Sequence, residues 1–336
     1  MAYAPKGNLM EDLAGNDVPA TQQNLLHLAQ KGLLDRRAYE RALKIAGYTP
    51  NANQWNSFLN VLLLILGAGF TVAGIYFFFA YNWADMHRFV KLGIIEVLIA
   101  GLVISAHAIS LEKLTGKIAL TVAGLLIGAL LAVYGQIYQT GADAYTLFLG
   151  WTLLMAGWVF ISKFTPMWFL WIVLINTSLL LYWDQVVGFG SEIYLWLFSI
   201  NALFVLVWEG FARNVDWLIS RWTPRLLALI VFYALTVPVV LVITQSEREP
   251  ILFLMTVLFV LVNPIVIYLY SRKYLDLFML TLSAISLMVV SNTWLANVVD
   301  AGDFTPLIIG VFIIAQTALA VALLVRISRS QEARTK

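Results

Sequence analysis

FLNVLLLILGAGFTVAGIYFFFAY, residues 58–81, runs 24 positions without an acidic or basic side chain. A helix rises 1.5 Å per residue, so about 20 apolar residues cross the hydrocarbon core of a bilayer. Nine further predominantly apolar runs follow, at approximately 89–110, 117–138, 145–161, 167–183, 193–211, 226–245, 251–270, 275–295 and 305–326. In lipid an open chain satisfies its backbone only as helix. The strands of a barrel would alternate polar and apolar residues, and these runs do not. The reading is an all-α polytopic transmembrane bundle of about ten spans. Pro166, Pro224, Pro250 and Pro306 fall at span starts, where a missing N–H costs nothing. Trp55, Tyr81, Trp83, Trp151, Trp183, Trp208, Trp222 and Trp294 gather near span ends, as an interfacial belt would.

Composition agrees. Apolar residues make up 61% of the 336 and charged residues 12%, with a mean hydropathy of +0.84. A soluble domain is about half apolar and about a quarter charged. The net charge of +2 gives no basic field for nucleic acid. The absence of cysteine excludes disulfides, thiolate nucleophiles and Cys-ligated metal. No nucleotide loop, HExxH or GxSxG motif occurs, and the three histidines, His27, His87 and His107, are scattered. No cofactor, no metal and no catalytic set is implied, and the reading leans away from an enzyme.

Charge fixes an orientation. With the N-terminus in the cytoplasm, only Arg88, Lys91 and Arg248 of the 21 basic residues fall in outer segments. The positive-inside rule then places both termini in the cytoplasm of an inner (plasma) membrane. The first span lies too far from the start for a cleavable signal and reads as an uncleaved anchor. Three regions follow: a cytoplasmic stretch 1–57, a transmembrane domain 58–326 and a cytoplasmic basic tail 327–336.

Within 1–57, Thr21 or Asn24 can cap a short helix through Gln30, and Gly32 stops it. Asp35 caps a second helix whose Ala38, Tyr39, Ala42, Leu43 and Ala46 share one face, and Gly47 and Pro50 end it. A helical hairpin results. It suits a membrane-surface cap or a docking module for a cytoplasmic protein.

Ionisable groups inside a membrane ask for a reason. Glu96 sits in the second span, within reach of Arg88 or Lys91 as ion-pair partners. His107, eleven residues on, shares its face near the inner end, as an inner proton relay would. Gly124, Gly128 and Ala132 form a small-residue ridge in the third span, ending in Gln136 and Gln139. With Asn82, Arg88 and Asp143, the residues Glu96, Gln136 and Gln139 make a candidate polar cup opening outward. Its other reading is a hydrogen-bond network pinning helices together. An i,i+4 pair with Arg213 accounts for Glu209. Pro238 and Pro264 fall inside spans and should bend them. Phe79-Ala80-Tyr81-Asn82 and Phe211-Ala212-Arg213-Asn214 end spans one and six, which suggests an inverted five-plus-five repeat.

Three stretches carry a resemblance: GLLDRRAYERAL (32–43), FFFAYNWADMHRFVKLG (77–93) and GALLAVYGQIYQTGADAYTLFLGWTLL (128–154). They resemble the bacterial membrane proteins grouped as domain-of-unknown-function family 2157. The family pattern maps onto Ala80, Asn82, Trp83, Arg88, Gln136, Ile137, Tyr138, Asp143 and Trp151. The chain departs from it in the Gly141-Ala142-Asp143 insertion and in Gln139, where a histidine is expected. The resemblance implies a helical head before many spans and names no activity. Two functions stay open. One is binding or transport of a solute or lipid through the outward cup, with membrane lipid as a partner. The other is a structural or signalling role that docks a cytoplasmic protein through the hairpin.

Overall fold

The computed structural model describes residues 20–50, 52–81, 86–139, 141, 143–188, 190–212, 214–245, 249–299 and 304–335. Asn82, Trp83, Asp85, Arg213, Arg248, Asp300 and Asp303 lie outside these. The repeat motif rests partly on Asn82 and Arg213, so it lies partly outside them as well.

The chain divides into two compact units, 1–77 and 78–336. The first holds α1 (Gln22–Gln30), α2 (Arg36–Ile45) and most of α3 (Ala52–Tyr81). Of the candidates Thr21 and Asn24 it is Thr21 that caps α1, and Asp35 caps α2 as expected. The Thr21 hydroxyl accepts from the Asn24 N–H at 3.3 Å, and the Asp35 carboxylate accepts from the Ala38 N–H at 2.6 Å. Gly32 and Gly47 close the helices with φ of +73° and +79°, a backbone region that a Cβ disfavours. α3 begins six residues before the apolar run. Its first turns carry Asn53, Gln54, Trp55, Asn56 and Ser57 before Phe58.

The second unit holds nine α-helices among the described residues: α4 (Arg88–Ile109), α5 (Leu114–Tyr138), α6 (Ala144–Ser162), α7 (Thr165–Tyr182), α8 (Glu192–Phe211), α9 (Trp222–Thr244), α10 (Pro250–Arg272), α11 (Leu277–Val298) and α12 (Thr305–Thr335). Including α3, ten helices among the described residues are long and apolar enough to cross a membrane. α12 continues through the residues expected as a tail. Helices α9 and α10 run on through Pro238 and Pro264.

Several apolar clusters hold the unit together, and two of them gather most of its helices. In the first, Ala106, Leu120, Ile127, Met155, Val159, Met167 and Leu174 bring α4, α5, α6 and α7 together. In the second, α9 is central and packs against α8, α10 and α11 through Val231, Leu235, Val239, Met255 and Phe259. Ile193, Leu197, Ala234 and Trp183 join α7 to α8 and α9. Large apolar side chains such as Leu153, Phe253 and Ile314 point outward, a surface suited to lipid rather than water.

Polar side chains decide the helix contacts, because lipid gives no hydrophobic drive for helices to associate. Asn176 of α7 and Asn201 of α8 exchange amide bonds at 3.1 and 2.7 Å, fully buried. Their second N–H groups go to the Ile172 and Leu197 carbonyls, so both amide donors are used twice. The Ser283 hydroxyl of α11 donates to Asn263 of α10 at 2.7 Å, and Ser286 bonds Thr236 of α9 at 2.7 Å. α12 is held to α11 by Asn292 donating to Gln316 and Gln316 donating to the Ser291 hydroxyl, both at 2.7 Å.

The tryptophans divide into two sets. Trp55, Tyr81, Trp222 and Trp294 are exposed, as belt residues should be. Trp208 and Trp183 are buried, and Trp151 is half-buried against α5. The Trp208 indole N–H donates to the Leu218 carbonyl at 3.0 Å, fastening the 212–221 turn to α8. Position near a span end does not distinguish an anchor from a ring packed between helices.

Candidate functional site

The α4–α5 hairpin and the start of α6 place Arg88, Gln136, Gln139 and Asp143 at one end of the unit. All four are exposed, and Gln139 caps α5 in the left-handed conformation, with φ +43°. Glu96 lies eight residues into α4, about 12 Å along the axis, and is exposed too. Among the described residues no hydrogen bond or ion pair links these side chains. The Arg88–Glu96 pair considered from sequence is not formed. The Arg88 guanidinium instead lies 5.1 Å from the centroid of the Phe89 ring. Asn82 lies outside the described residues. His107 is exposed in the last turn of α4, at the end opposite Arg88.

The small-residue ridge has a specific function in packing. The indole of Trp151 on α6 lies across Gly128 of α5, where an added Cβ would meet the ring at 2.5 Å. Its N–H donates to the Gly124 carbonyl at 2.7 Å, and Met155 fills the space over Gly124. Ridge and tryptophan therefore form one joint between α5 and α6, and Gly128, Ala132 and Trp151 fall in the stretch 128–154. Residues 27–168 match the family described as Predicted membrane protein (DUF2157). It is the family that the three motifs resemble. The DUF2157 stretch runs from within α1 to the start of α7, so it contains the end of α1, all of α2, the Trp151 joint and every residue of the expected cup. No curated protein matches the chain. No solved structure matches it.

Outside the DUF2157 stretch, a partly buried ionic cluster joins α8, α9, α10 and the turn before α11. Arg221 donates to Glu209 at 2.8 Å and to Asp276 at 3.1 Å. Arg225 also donates to Asp276 at 3.1 Å, and the Tyr270 hydroxyl donates to Glu209 at 3.0 Å. Asp276 is buried and caps α11 through the Phe278 N–H at 3.0 Å. Burial works against the Arg221 cation. Hydrogen bonds and charges from Glu209 and Asp276 outweigh it and hold the guanidinium pKa above its usual value. The sequence reading paired Glu209 with Arg213. Arg213 lies outside the described residues, and Glu209 is engaged by Arg221, twelve residues away, and by Tyr270. Helical spacing identifies i,i+4 neighbours and is blind to partners delivered by other helices. The convergence of these side chains was not legible in the sequence.

Beside the cluster lies a cavity of about 410 Å³ between α8, α9 and α10. Its walls are apolar, including Phe198, Val205, Val231, Phe232, Val262 and Leu269. Glu209, Tyr270, Lys273 and Tyr274 stand at its polar end. The exposed Leu206 and Ile265 form part of its lining, so the cleft opens sideways between helices.

Proposed function

We propose that this membrane protein binds an amphipathic molecule of the lipid class in the cleft between α8, α9 and α10. The observation that carries the reading is a cavity of about 410 Å³ with apolar walls and a charged, hydroxyl-bearing end. That volume falls within the range of about 300–1,000 Å³ common for ligand sites. An acyl chain suits Phe198, Val231 and Val262, and a polar head suits Lys273, Tyr274 and the Glu209–Tyr270 pair. The sideways opening supports entry from the bilayer rather than from water. The ionic cluster fixes the end of the cleft by tying α8, α9 and α10 to one another.

Native mass spectrometry of protein extracted in mild detergent tests this reading. The wild-type chain should retain a copurified amphiphile. Ala202→Trp or Val262→Trp, which fill the cleft without touching the ionic cluster, should lose it while keeping the same melting temperature. Equal retention by both variants would sink the proposal. The same reading takes the membrane to be the inner membrane with both termini cytoplasmic, on the strength of the basic-residue asymmetry. Asn214→Cys in this cysteine-free chain should resist an impermeant maleimide in intact cells. Labelling from outside would reverse the orientation.

A further inference from the structure

We propose that the α1–α2 hairpin is a membrane-surface element that docks on anionic lipid headgroups beside the start of α3. The charge is one-sided. Between residues 21 and 48 stand Lys31, Arg36, Arg37, Arg41 and Lys44 against Asp35 and Glu40. Both carboxylates are already used: Asp35 caps α2, and Glu40 pairs with Arg36 at 3.3 Å. Among the described residues, Lys31, Arg37, Arg41 and Lys44 have no carboxylate partner. On a helical wheel the bases of α2 occupy one arc with Glu40, and Ala38, Tyr39, Ala42, Leu43 and Ile45 occupy the other.

Two short helices cannot bury their own apolar surface. Leu25 is the one residue of the hairpin that is fully buried, and Leu26, Leu33, Ile45 and Tyr48 stay exposed, Ile45 at 88%. Ile45 sits at the border of the two arcs, next to Arg41. An apolar side chain flanked by bases is the pattern of a helix lying in a headgroup layer.

The tether gives the depth. Only residues 46–51 separate α2 from α3, and the chain folds back at once, with the Tyr48 N–H on the Leu43 carbonyl at 2.9 Å. Gly47, Tyr48 and Pro50 wall a hollow with Gln54, Trp55 and Phe58 of α3. The first turns of α3 are polar with one exposed tryptophan, the composition of an interfacial segment. The hairpin is therefore held at the level where α3 enters the membrane, within the short range over which anionic lipids attract bases. A lipid surface of net negative charge complements it, and the scattered exposed side chains match a fluid interface better than a shaped protein groove.

The test uses the full chain in nanodiscs. An environment-sensitive dye is attached at Ile45→Cys and, separately, at Leu33→Cys. Discs are made of phosphatidylcholine alone or with phosphatidylglycerol, each with a trace of lipid spin-labelled near its headgroup. In the anionic discs the dye should shift to the blue and be quenched by the labelled lipid, and high salt should reverse both. Neutralising Arg37, Arg41 and Lys44 to Gln should weaken the docked state about fivefold per base removed. Because these side chains are exposed, folding is not at stake. Equal emission in neutral and anionic discs, or quenching that ignores the triple substitution, would overturn the proposal. Quenching in neither disc would also overturn it and would leave the hairpin for a protein partner.

Discussion

Asp276 is the acid on which the ionic cluster turns, and its removal has a calculable cost. Its side chain is 1% exposed and accepts from Arg221, Arg225 and the Phe278 N–H. Truncating one partner of a fully buried pair costs about 3–5 kcal/mol. Here the arginines are 33% and 41% exposed, so water rescues part of each stranded charge. Each arginine bond is then worth about 0.5–1 kcal/mol, as for exposed pairs, and the cap about 1 kcal/mol. Asp276→Ala should destabilise by about 2–3 kcal/mol. Asp276→Asn keeps the acceptor for Phe278 and should cost about 1 kcal/mol less. Arg225→Gln, which leaves Arg221 bridging both acids, should be the mildest. Melting in detergent gives the order Ala, then Asn, then Arg225→Gln. Should Asp276→Ala melt with the wild type, or Asp276→Asn be as damaging as Ala, the division between charge and cap is wrong.

Three further outcomes are expected. Gly128→Leu places a side chain where the Trp151 ring lies and should unfold the α5–α6 joint, whereas Trp151→Phe should lose about 1 kcal/mol with the indole bond to Gly124; melting in detergent distinguishes them. Asn176→Leu or Asn201→Leu alone should each cost about 1–2 kcal/mol by stranding the other amide, and the double substitution should recover part of the loss, a cycle readable from the same melts. Glu96→Gln should leave the melting temperature unchanged, since Glu96 is exposed and unpaired among the described residues; a fall of several degrees would show that its charge holds the bundle together.

The ten spans were legible because each one is a local property. A run of about 20 apolar residues must be helical in lipid whatever surrounds it. The expected 89–110 and 145–161 became Arg88–Ile109 and Ala144–Ser162, and the caps at Thr21 and Asp35 formed as the sequence indicated. The Gly124–Gly128 ridge was legible as a surface for close approach, though not that Trp151 would be the group to approach it.

Tertiary structure alone decided which polar groups meet. Asn176 and Asn201 lie 25 positions apart, and Arg221 and Asp276 lie 55 apart. No periodicity links such pairs, because the order of helices around α9 is set by packing and not by chain order. For the same reason the bonds of Glu209 to Arg221 and Tyr270, twelve and 61 positions away, have no signature in its own helix. The sequence by itself determined that this chain builds a membrane bundle with a basic head, since burial in lipid acts on each segment separately. Which helices enclose the cleft at Glu209 depends on contacts among three segments at once, and that information exists only once they have packed.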